Sequence, residues 1–421
     1  MHTDLPLKNN EHDKLGRFLF ATEIASGLIN SFRNNNESIV LGINGTWGTG
    51  KSTLINFIIQ EVERITKEKN EEIIILKFNP WMFTGQKELQ NIFLKELLLK
   101  LQHNKEILKE AANKISDFIN YFEWVKYIHT GAGEALKDSK KFLEVVGGKK
   151  DLQQLKDDVD KLLIDSGVKL YITIDDIDRL SPSEITDIFQ LVKLNGNFAN
   201  SIFILAYDRE IVTSALQKQF GENGKKYIEK IVQIDYTLPT VSFQNIKRIF
   251  KDSAEKLFED KELTIALKEE LSKEKPNSFI NYFQSIRDIY RFNNSIKLRL
   301  PSIYRELNLG DFLIVESFRI FNPNVYQFII DNKEDFIYKK ENNSFNTYSI
   351  VTNSNKGKSI KEFIDKSPFD SVTKNLLSQL FLISGNEMFQ SYKNENLIRE
   401  KKVANRNYFD RYFNLQLSDF D

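Results

Sequence analysis

Short apolar runs, each bounded by polar or turn-forming residues, recur along the chain and predict buried strands. They are Ser38–Asn44, Ile73–Phe78, Lys169–Ile174 and Ser201–Tyr207. The stretches between these runs carry apolar residues at three- and four-residue spacing, which predicts helices. Since strands that alternate with helices form a parallel sheet covered by helices, the pattern indicates an α/β fold.

The first predicted strand leads directly into a glycine-rich loop. Residues 45–52 read G-T-W-G-T-G-K-S and match the Walker A string G-x-x-x-x-G-K-[ST]. Apolar residues from Leu54 to Ile65 then continue at helical spacing. Strand, loop and helix in this order form the structural context of a phosphate-binding loop.

The composition of this loop fits a nucleoside triphosphate and Mg²⁺. Glycine lets backbone N–H groups approach the phosphates closely, and the start of the next helix adds unpaired N–H groups and a positive dipole end. Lys51 is predicted to reach the β- and γ-phosphates as a catalytic cation, and Ser52 to bind the metal through its hydroxyl. The predicted nucleotide-binding residues are Gly45, Thr46, Trp47, Gly48, Thr49, Gly50, Lys51, Ser52 and Thr53.

The overall composition is globular and shows no charge bias. Hydrophobic residues make up 41% of the 421 residues, and 59 basic residues balance 59 acidic ones. No global field therefore attracts nucleic acid or an anionic membrane, although a local basic patch stays open. The chain has no cysteine, which excludes disulfides and thiolate metal sites. We see no signal sequence and no run of about 18 apolar residues, and so predict a soluble, cytoplasmic protein without a membrane span.

Residues 86–167 interrupt the alternation of strands and helices. They carry helical spacing without a strand signal, and we predict a helical insertion there with a hinge at Gly147-Gly148. The insertion is too charged to cross a bilayer, but an interfacial role for Phe118–Phe142 stays open beside that of a soluble arm. Ahead of the first strand, residues 13–32 predict a further helix.

Two acidic residues, Asp175 and Asp176, follow the third predicted strand. A buried strand that delivers carboxylates at its carboxyl end meets the requirement for a Mg²⁺ site opposite Ser52. Asp175 is therefore predicted to hold the metal, and Asp176 to polarise the attacking water as a catalytic residue.

Two other residues near strand ends leave alternatives open. Trp81 either borders the nucleotide or packs in the core, and we favour the core. Asp208 follows the fourth strand as either a γ-phosphate sensor or part of a surface turn. Between these strands, Ser181–Glu184 predicts a capping box at the start of a helix.

Taken together, these motifs resemble the KAP group of P-loop NTPases, within the large ATPase class that includes the AAA+ and STAND proteins. The resemblance is carried by Gly45–Ser52, Phe78–Trp81, Asp175–Leu180 and Ala206–Arg209. Weaker similarities extend it over residues 4–335. Many KAP members insert transmembrane helices after the phosphate loop, whereas this chain carries a charged insertion there.

The resemblance implies a parallel-sheet P-loop NTPase fold of the ASCE type. It divides the chain into an NTPase domain at residues 1–240, a helical lid at 241–310 and a helical C-terminal domain at 311–421. ATP and Mg²⁺ are the implied cofactors. Hydrolysis is expected to be slow because Asp176 is one methylene shorter than the glutamate of most AAA+ ATPases.

Several further residues are given roles by the resemblance. Residues 13–17 correspond to the adenine-side segment of AAA+ proteins. Arg287 on the lid either reaches the phosphates or, as we favour, is solvated or salt-bridged. In an oligomer, Arg179 or Arg209 is placed to approach a neighbour's γ-phosphate.

We predict a Mg²⁺-dependent ATPase that acts as a conformational or assembly switch. Its partner is a second copy of the chain or another protein of a multi-component system, and bacterial KAP relatives imply a role in anti-phage defence. The alternative is a non-hydrolysing nucleotide-dependent scaffold or a nucleic-acid-binding module. Residues 332–335 match the guanine-reading string N-K-x-D but lie beyond the predicted lid, so ATP is preferred to GTP.

Overall fold

The computed structural model describes residues 5–33, 35–85, 89–103, 106–129, 152–195, 198–273, 276–337, 369–381 and 394–413. These residues form two compact units, one within Pro6–Pro239 and the other mainly from Thr240 onward. The predicted hinge at Gly147-Gly148 and the end of the Phe118–Phe142 segment lie outside the described residues. The division of the chain into three domains at residues 240 and 310 stays a prediction.

A parallel sheet forms the centre of the first unit. Its strands are β1 (Ile39–Asn44), β2 (Ile73–Phe78), β3 (Lys169–Ile174), β4 (Ser201–Tyr207) and β5 (Ile234–Thr237). They lie in the order β2-β3-β4-β1-β5, and every neighbouring pair is parallel. This topology confirms the predicted α/β fold with a parallel sheet.

Helices cover both faces of this sheet. Alternate strand residues point to opposite faces, so Val40 belongs to one hydrophobic core while Leu41 belongs to the other. The helices of the unit are α1 (Arg17–Phe32), α2 (Lys51–Glu68), α3 (Leu89–Gln102), α4 (Glu106–His129), α5 (Leu152–Ser166), α6 (Pro182–Gln190), α7 (Arg209–Phe220) and α8 (Gly224–Glu229). Helices α1 and α2 supply the core on one face, and α3, α6 and α7 contribute to the core on the other.

The register of the strands brings their carboxyl ends to one edge of the sheet. Asn44 pairs with Tyr207 and with Thr237, and Phe78 pairs with Ile174. The phosphate loop after β1 and the acidic residues after β3 therefore lie at the same edge, which is where open α/β sheets bind their ligands.

Two elements differ from the prediction. Helix α1 begins at Arg17 rather than near residue 13, because both carboxylate oxygens of Asp13 accept backbone N–H bonds, from Leu15 at 3.1 Å and from Phe18 at 2.8 Å. Strand β5 was not predicted. It has only four residues and is mostly exposed, so it lacks the apolar run that marks the other strands.

The second unit is helical throughout its described residues. Its helices are α9 (Phe243–Ala254), α10 (Lys261–Ser272), α11 (Ile286–Ile303), α12 (Leu309–Phe321), α13 (Pro323–Asp331), α14 (Lys333–Phe336), α15 (Ser371–Phe381), α16 (Asn394–Arg399) and α17 (Arg406–Phe413). Phenylalanine rings from α9, α11 and α12 pack together with Phe279 and Phe283. In neither unit is any described helix long and apolar enough to cross a membrane.

Candidate functional site

The phosphate loop joins β1 to α2 through backbone conformations that favour glycine. Gly48 and Gly50 have φ angles of 84° and 91°, in the region that other residues rarely adopt. At Gly45 the constraint is space, since a Cβ atom there would lie 2.6 Å from Oγ1 of Thr49. Helix α2 begins after Gly50 with neither a side-chain cap nor an acidic residue in its first turn. Its first N–H groups therefore face no competing protein carboxylate from this turn.

Lys51 points back into the loop that it follows. Its ammonium donates to the carbonyl oxygen of Gly45 at 2.8 Å and forms an ion pair with Oδ2 of Asp178 at 3.0 Å. The exposed fractions of the two charged side chains are only 9% and 10%. The predicted phosphate-binding cation is thus pre-positioned at the loop but paired with a buried carboxylate.

Asp175 connects strand β3 to the first turn of α2. Its carboxyl accepts the backbone N–H of Asp176 at 2.8 Å and lies close to the hydroxyl of Ser52, which favours the ionised form. Burial raises the pKa of Asp175, with Asp176 contributing in the same direction, while the hydroxyl of Ser52 opposes the shift. The structure therefore brings together the two residues predicted to hold Mg²⁺.

Thr53, the last of the predicted nucleotide-binding residues, is engaged within the protein. Its hydroxyl accepts the backbone N–H of Leu7 at 3.2 Å, which ties the segment before α1 to helix α2. In the same segment, Arg17 donates to the carbonyl of Pro239 at 3.0 Å. These contacts are structural, and the adenine-side role of residues 13–17 stays a prediction.

Asp176 lies at the start of the short turn Ile177–Arg179 that follows β3. Its φ of 59° is a left-handed conformation that few residues other than glycine adopt. One carboxylate oxygen accepts from Nδ2 of Asn79 at 2.8 Å, and the other pairs with Nε of Arg179 at 2.7 Å. The carboxylate proposed for water activation is thus bonded to Asn79 through one oxygen and to Arg179 through the other.

Arg179 lies between two indole rings. Its guanidinium carbon is 5.3 Å from the ring centre of Trp47 in the phosphate loop and 4.6 Å from that of Trp81 after β2. Trp81 is 48% exposed, so the favoured core role for Trp81 is wrong. Pro80 is buried instead, while the side chain of Asn79 accepts the N–H of Trp81 and sets the turn.

Asp208 and Arg209 follow β4 and have structural partners. Asp208 is buried and caps helix α7 by accepting the N–H of Glu210 at 3.0 Å, so it is not part of a surface turn. Arg209 pairs with Asp235 on β5 at 2.7 Å. Both arginines predicted to act on a neighbour, Arg179 and Arg209, are therefore ion-paired within this chain.

Several charged residues of the second unit are paired within that unit, and Arg299 pairs with the buried Glu316. The two alternatives for Arg287 stay predictions. In the N-K-x-D string, Lys333 pairs with Asp410 at 2.6 Å and Glu334 pairs with Arg406 at 2.7 Å. Both ion pairs connect α14 to α17, so these two residues of the string have a structural role.

Asp178 is the residue of the site that the sequence analysis missed. It was part of the motif Asp175–Leu180, but no role was assigned to it. The available signal was a third carboxylate two positions after Asp176, at a strand end opposite a lysine-bearing loop. Which of the acids faces Lys51 depends on the left-handed backbone at Asp176, and that conformation is not visible in the residue pattern.

The comparisons with known proteins agree with this geometry. The family described as "KAP family P-loop domain" matches residues 20–303. The Phage T7 exclusion protein of Escherichia coli (strain K12) is 23% identical over 69% of this chain, and the match covers 42% of that protein. The chain therefore spans less than half the length of this relative.

Solved structures of low sequence identity also match. Cdc6p from Pyrobaculum aerophilum is 12% identical with a TM-score of 0.36, over 90% of this chain and 97% of that one. The ADP form of the Aeropyrum pernix ORC2 protein is 10% identical with a TM-score of 0.34, over 87% of each chain. The family match covers most of the chain and does not depend on these two. The chain belongs to the KAP family of P-loop NTPases.

Proposed function

We propose that this protein binds ATP with Mg²⁺, hydrolyses it slowly and uses the nucleotide as a conformational or assembly switch. The observation that carries the proposal is the approach of the Ser52 hydroxyl to the Asp175 carboxyl. A hydroxyl from the start of the loop helix and a carboxyl from the end of β3 thus lie close together, next to the glycine-rich loop.

The residues at this position fit Mg²⁺. Mg²⁺ prefers oxygen ligands and keeps several waters, so a hydroxyl and one carboxylate are a suitable protein contribution. Ser52 and Asp175 would hold the ion, which when bound neutralises phosphate charge. The burial that raises the pKa of Asp175 fits the same interpretation, because a cation bound there would offset the cost of a buried carboxylate charge.

The chain's own residues supply the other parts of the reaction. Lys51 and the N–H groups at the start of α2 would stabilise the negative charge of the transferred phosphoryl group. Asp176 would orient the attacking water and accept its proton. Asn79 fixes one oxygen of Asp176, so the other must be released from Arg179 before it can act as a base.

Two measurements on the purified chain test this proposal. A titration with a fluorescent ATP analogue, with and without Mg²⁺, measures binding, and phosphate release measures turnover. We expect saturable binding that Mg²⁺ strengthens, and slow release. Light scattering without nucleotide, with ATP and with ADP then tests the switch; equal hydrodynamic size in all three states contradicts assembly switching.

We further propose a role in anti-phage defence. The support is the similarity to a phage exclusion protein, of which this chain spans 42% of the length. Plaque counts of a phage panel on cells that express the chain, compared with cells that express Lys51→Ala, test this role. Equal plaque counts across the panel contradict it.

A further inference from the structure

The Ile177–Arg179 turn carries two opposite charges, and each one neutralises a residue of the proposed ATPase site. Asp178 pairs with Lys51 at 3.0 Å, and Arg179 pairs with Asp176 at 2.7 Å. The phosphate-binding cation and the water-activating carboxylate are thus both occupied by neighbouring residues of one turn. The inference drawn from this arrangement rests on the proposed function.

A bound nucleotide would compete with Asp178 for the same ammonium. Lys51 and Asp178 are about nine-tenths buried, and charges interact more strongly there than in water. A phosphate that contacts Lys51 brings negative charge beside the Asp178 carboxylate, and like charges at such a site repel each other. Asp178 therefore opposes phosphate binding for as long as it stays on Lys51.

The two ion pairs are carried by one short turn. Asp178 and Arg179 are adjacent in it, so a backbone movement that takes Asp178 away from Lys51 also moves Arg179. The guanidinium of Arg179 also lies against Trp47, which is itself in the phosphate loop. Asp178 and Trp47 therefore both connect the loop to Arg179.

We propose that Asp178 and Arg179 are positioning residues that hold Lys51 and Asp176 until phosphate displaces Asp178. Displacement frees Lys51 for the nucleotide and withdraws Arg179 from Asp176, so that the carboxylate becomes available to the attacking water only after ATP is bound. The same two ion pairs neutralise Lys51 and Asp176 when no nucleotide is present. Premature use of Asp176 is thereby avoided.

The first test measures MgATP affinity in Asp178→Asn. The proposal expects binding about tenfold tighter than in the unchanged chain, because the competing carboxylate is gone. If Asp178 instead serves to orient Lys51 toward phosphate, the variant binds more weakly. Equal or weaker binding overturns the proposal.

Glu184→Gln is the matched control for this test. It removes one negative charge six positions later in the chain. Glutamine keeps one oxygen that can accept the Ser181 N–H of the capping box, while its amide nitrogen cannot accept the N–H of Gly85. The carboxylate of Glu184 bonds to the N–H groups of Gly85 and Ser181 rather than to Lys51. We expect its MgATP affinity to stay within about twofold of the unchanged chain.

The second test follows tryptophan emission, first with Asp178 in place and then in Asp178→Asn. The chain has three tryptophans, so Trp124→Phe leaves Trp47 and Trp81, the two rings that flank Arg179. Saturating MgATP is expected to change their emission, and the change should be smaller when Asp178→Asn is added, because the turn is already released. An unchanged spectrum at saturation, or the same change in both proteins, overturns the inference.

The outcomes separate the inference from the function on which it rests. If the chain with intact Asp178 and Lys51 binds no ATP analogue, the proposed function itself fails, and the inference fails with it. If that chain binds and hydrolyses ATP while Asp178→Asn shows no tightening, only the role of the turn is overturned.

Discussion

The hydroxyl of Ser52 lies close to the carboxyl of Asp175 and favours its ionised form, so the start of helix α2 and the end of strand β3 bring two oxygen-bearing side chains together. A P-loop ATPase needs this pairing to place a metal beside the phosphates. Asp175 is also a buried acid, and burial raises its pKa. The two properties have separate experimental consequences.

Asp175→Asn is expected to raise the melting temperature of the nucleotide-free protein at neutral pH. Burial raises the pKa of Asp175, and stability linked to a raised carboxyl pKa is lost as pH rises through the folded-state value. Asparagine keeps an acceptor for Ser52 without the charge. Differential scanning fluorimetry measures the effect, and a lower melting temperature would contradict the expected cost of the buried charge.

In the same Asp175→Asn variant, Mg²⁺ should no longer strengthen ATP binding.

Lys51→Ala is expected to weaken ATP binding by about 10- to 100-fold, since a hydrogen bond to a charged group contributes about 1.5–3 kcal/mol. Titration with a fluorescent ATP analogue measures this. Lys67→Ala is the control, because Lys67 is an exposed lysine in the last turn of the same helix. Unchanged affinity in Lys51→Ala, or an equal loss in Lys67→Ala, would remove Lys51 from the phosphate site.

ATP is expected to bind much more tightly than GTP. The N-K-x-D string is part of the second unit, and Lys333 and Glu334 are used in ion pairs with α17. Competition of both nucleotides against the fluorescent ATP analogue tests the preference. Equal competition by ATP and GTP would contradict the expected preference for adenine.

Duplex DNA should bind weakly and lose affinity steeply with salt, whereas tight binding at physiological salt would favour the nucleic-acid-binding alternative.

Glu316→Gln is expected to destabilise the second unit by about 3–5 kcal/mol, because it leaves a buried arginine without its carboxylate. Glu316 is fully buried and pairs with both Arg299 and Arg319. Glu262→Gln, which removes one partner of an exposed pair with Arg305, should cost far less. Chemical denaturation of both variants measures the difference, and equal losses would contradict the buried-pair account.

The same carboxylate gives the unit a pH dependence. Burial opposes the ionisation of Glu316, but Arg319 and Arg299 outweigh burial and lower the pKa of Glu316. A lowered carboxyl pKa contributes stability above the unfolded-state value and loses it as pH falls through the folded-state value. Acid should therefore destabilise the unchanged chain more steeply than Glu316→Gln. Parallel acid titrations would show equal slopes if the pairing were unimportant.

The sequence predicted the elements that depend on local pattern. Strands β1 to β4 appeared as apolar runs, and the capping box at Ser181 and Glu184 is present at the start of α6. The features that the sequence did not predict depend on tertiary contacts. Trp81 is apolar and was expected in the core, but its indole stacks on Arg179, a residue far away in the chain.

The acidic motif also combines features that the local sequence pattern predicts with features that depend on tertiary structure. Residue type and strand position predicted site roles for Asp175 and Asp176, because carboxylates at this edge are what a metal site needs. The pairing of Asp178 with Lys51 depends on the turn that Asp176 begins, and residue spacing does not specify that turn. The partner of a charged residue is set by backbone geometry that the sequence pattern only partly constrains.

The central claim is that the carboxyl edge of the sheet binds and hydrolyses ATP, and Asp176→Asn tests it most directly. The amide keeps the shape of the side chain but cannot accept a proton from water. ATP affinity should stay near that of the unchanged chain, while phosphate release should fall by about 10²–10⁴-fold. Undiminished phosphate release in this variant would contradict the assignment of the site.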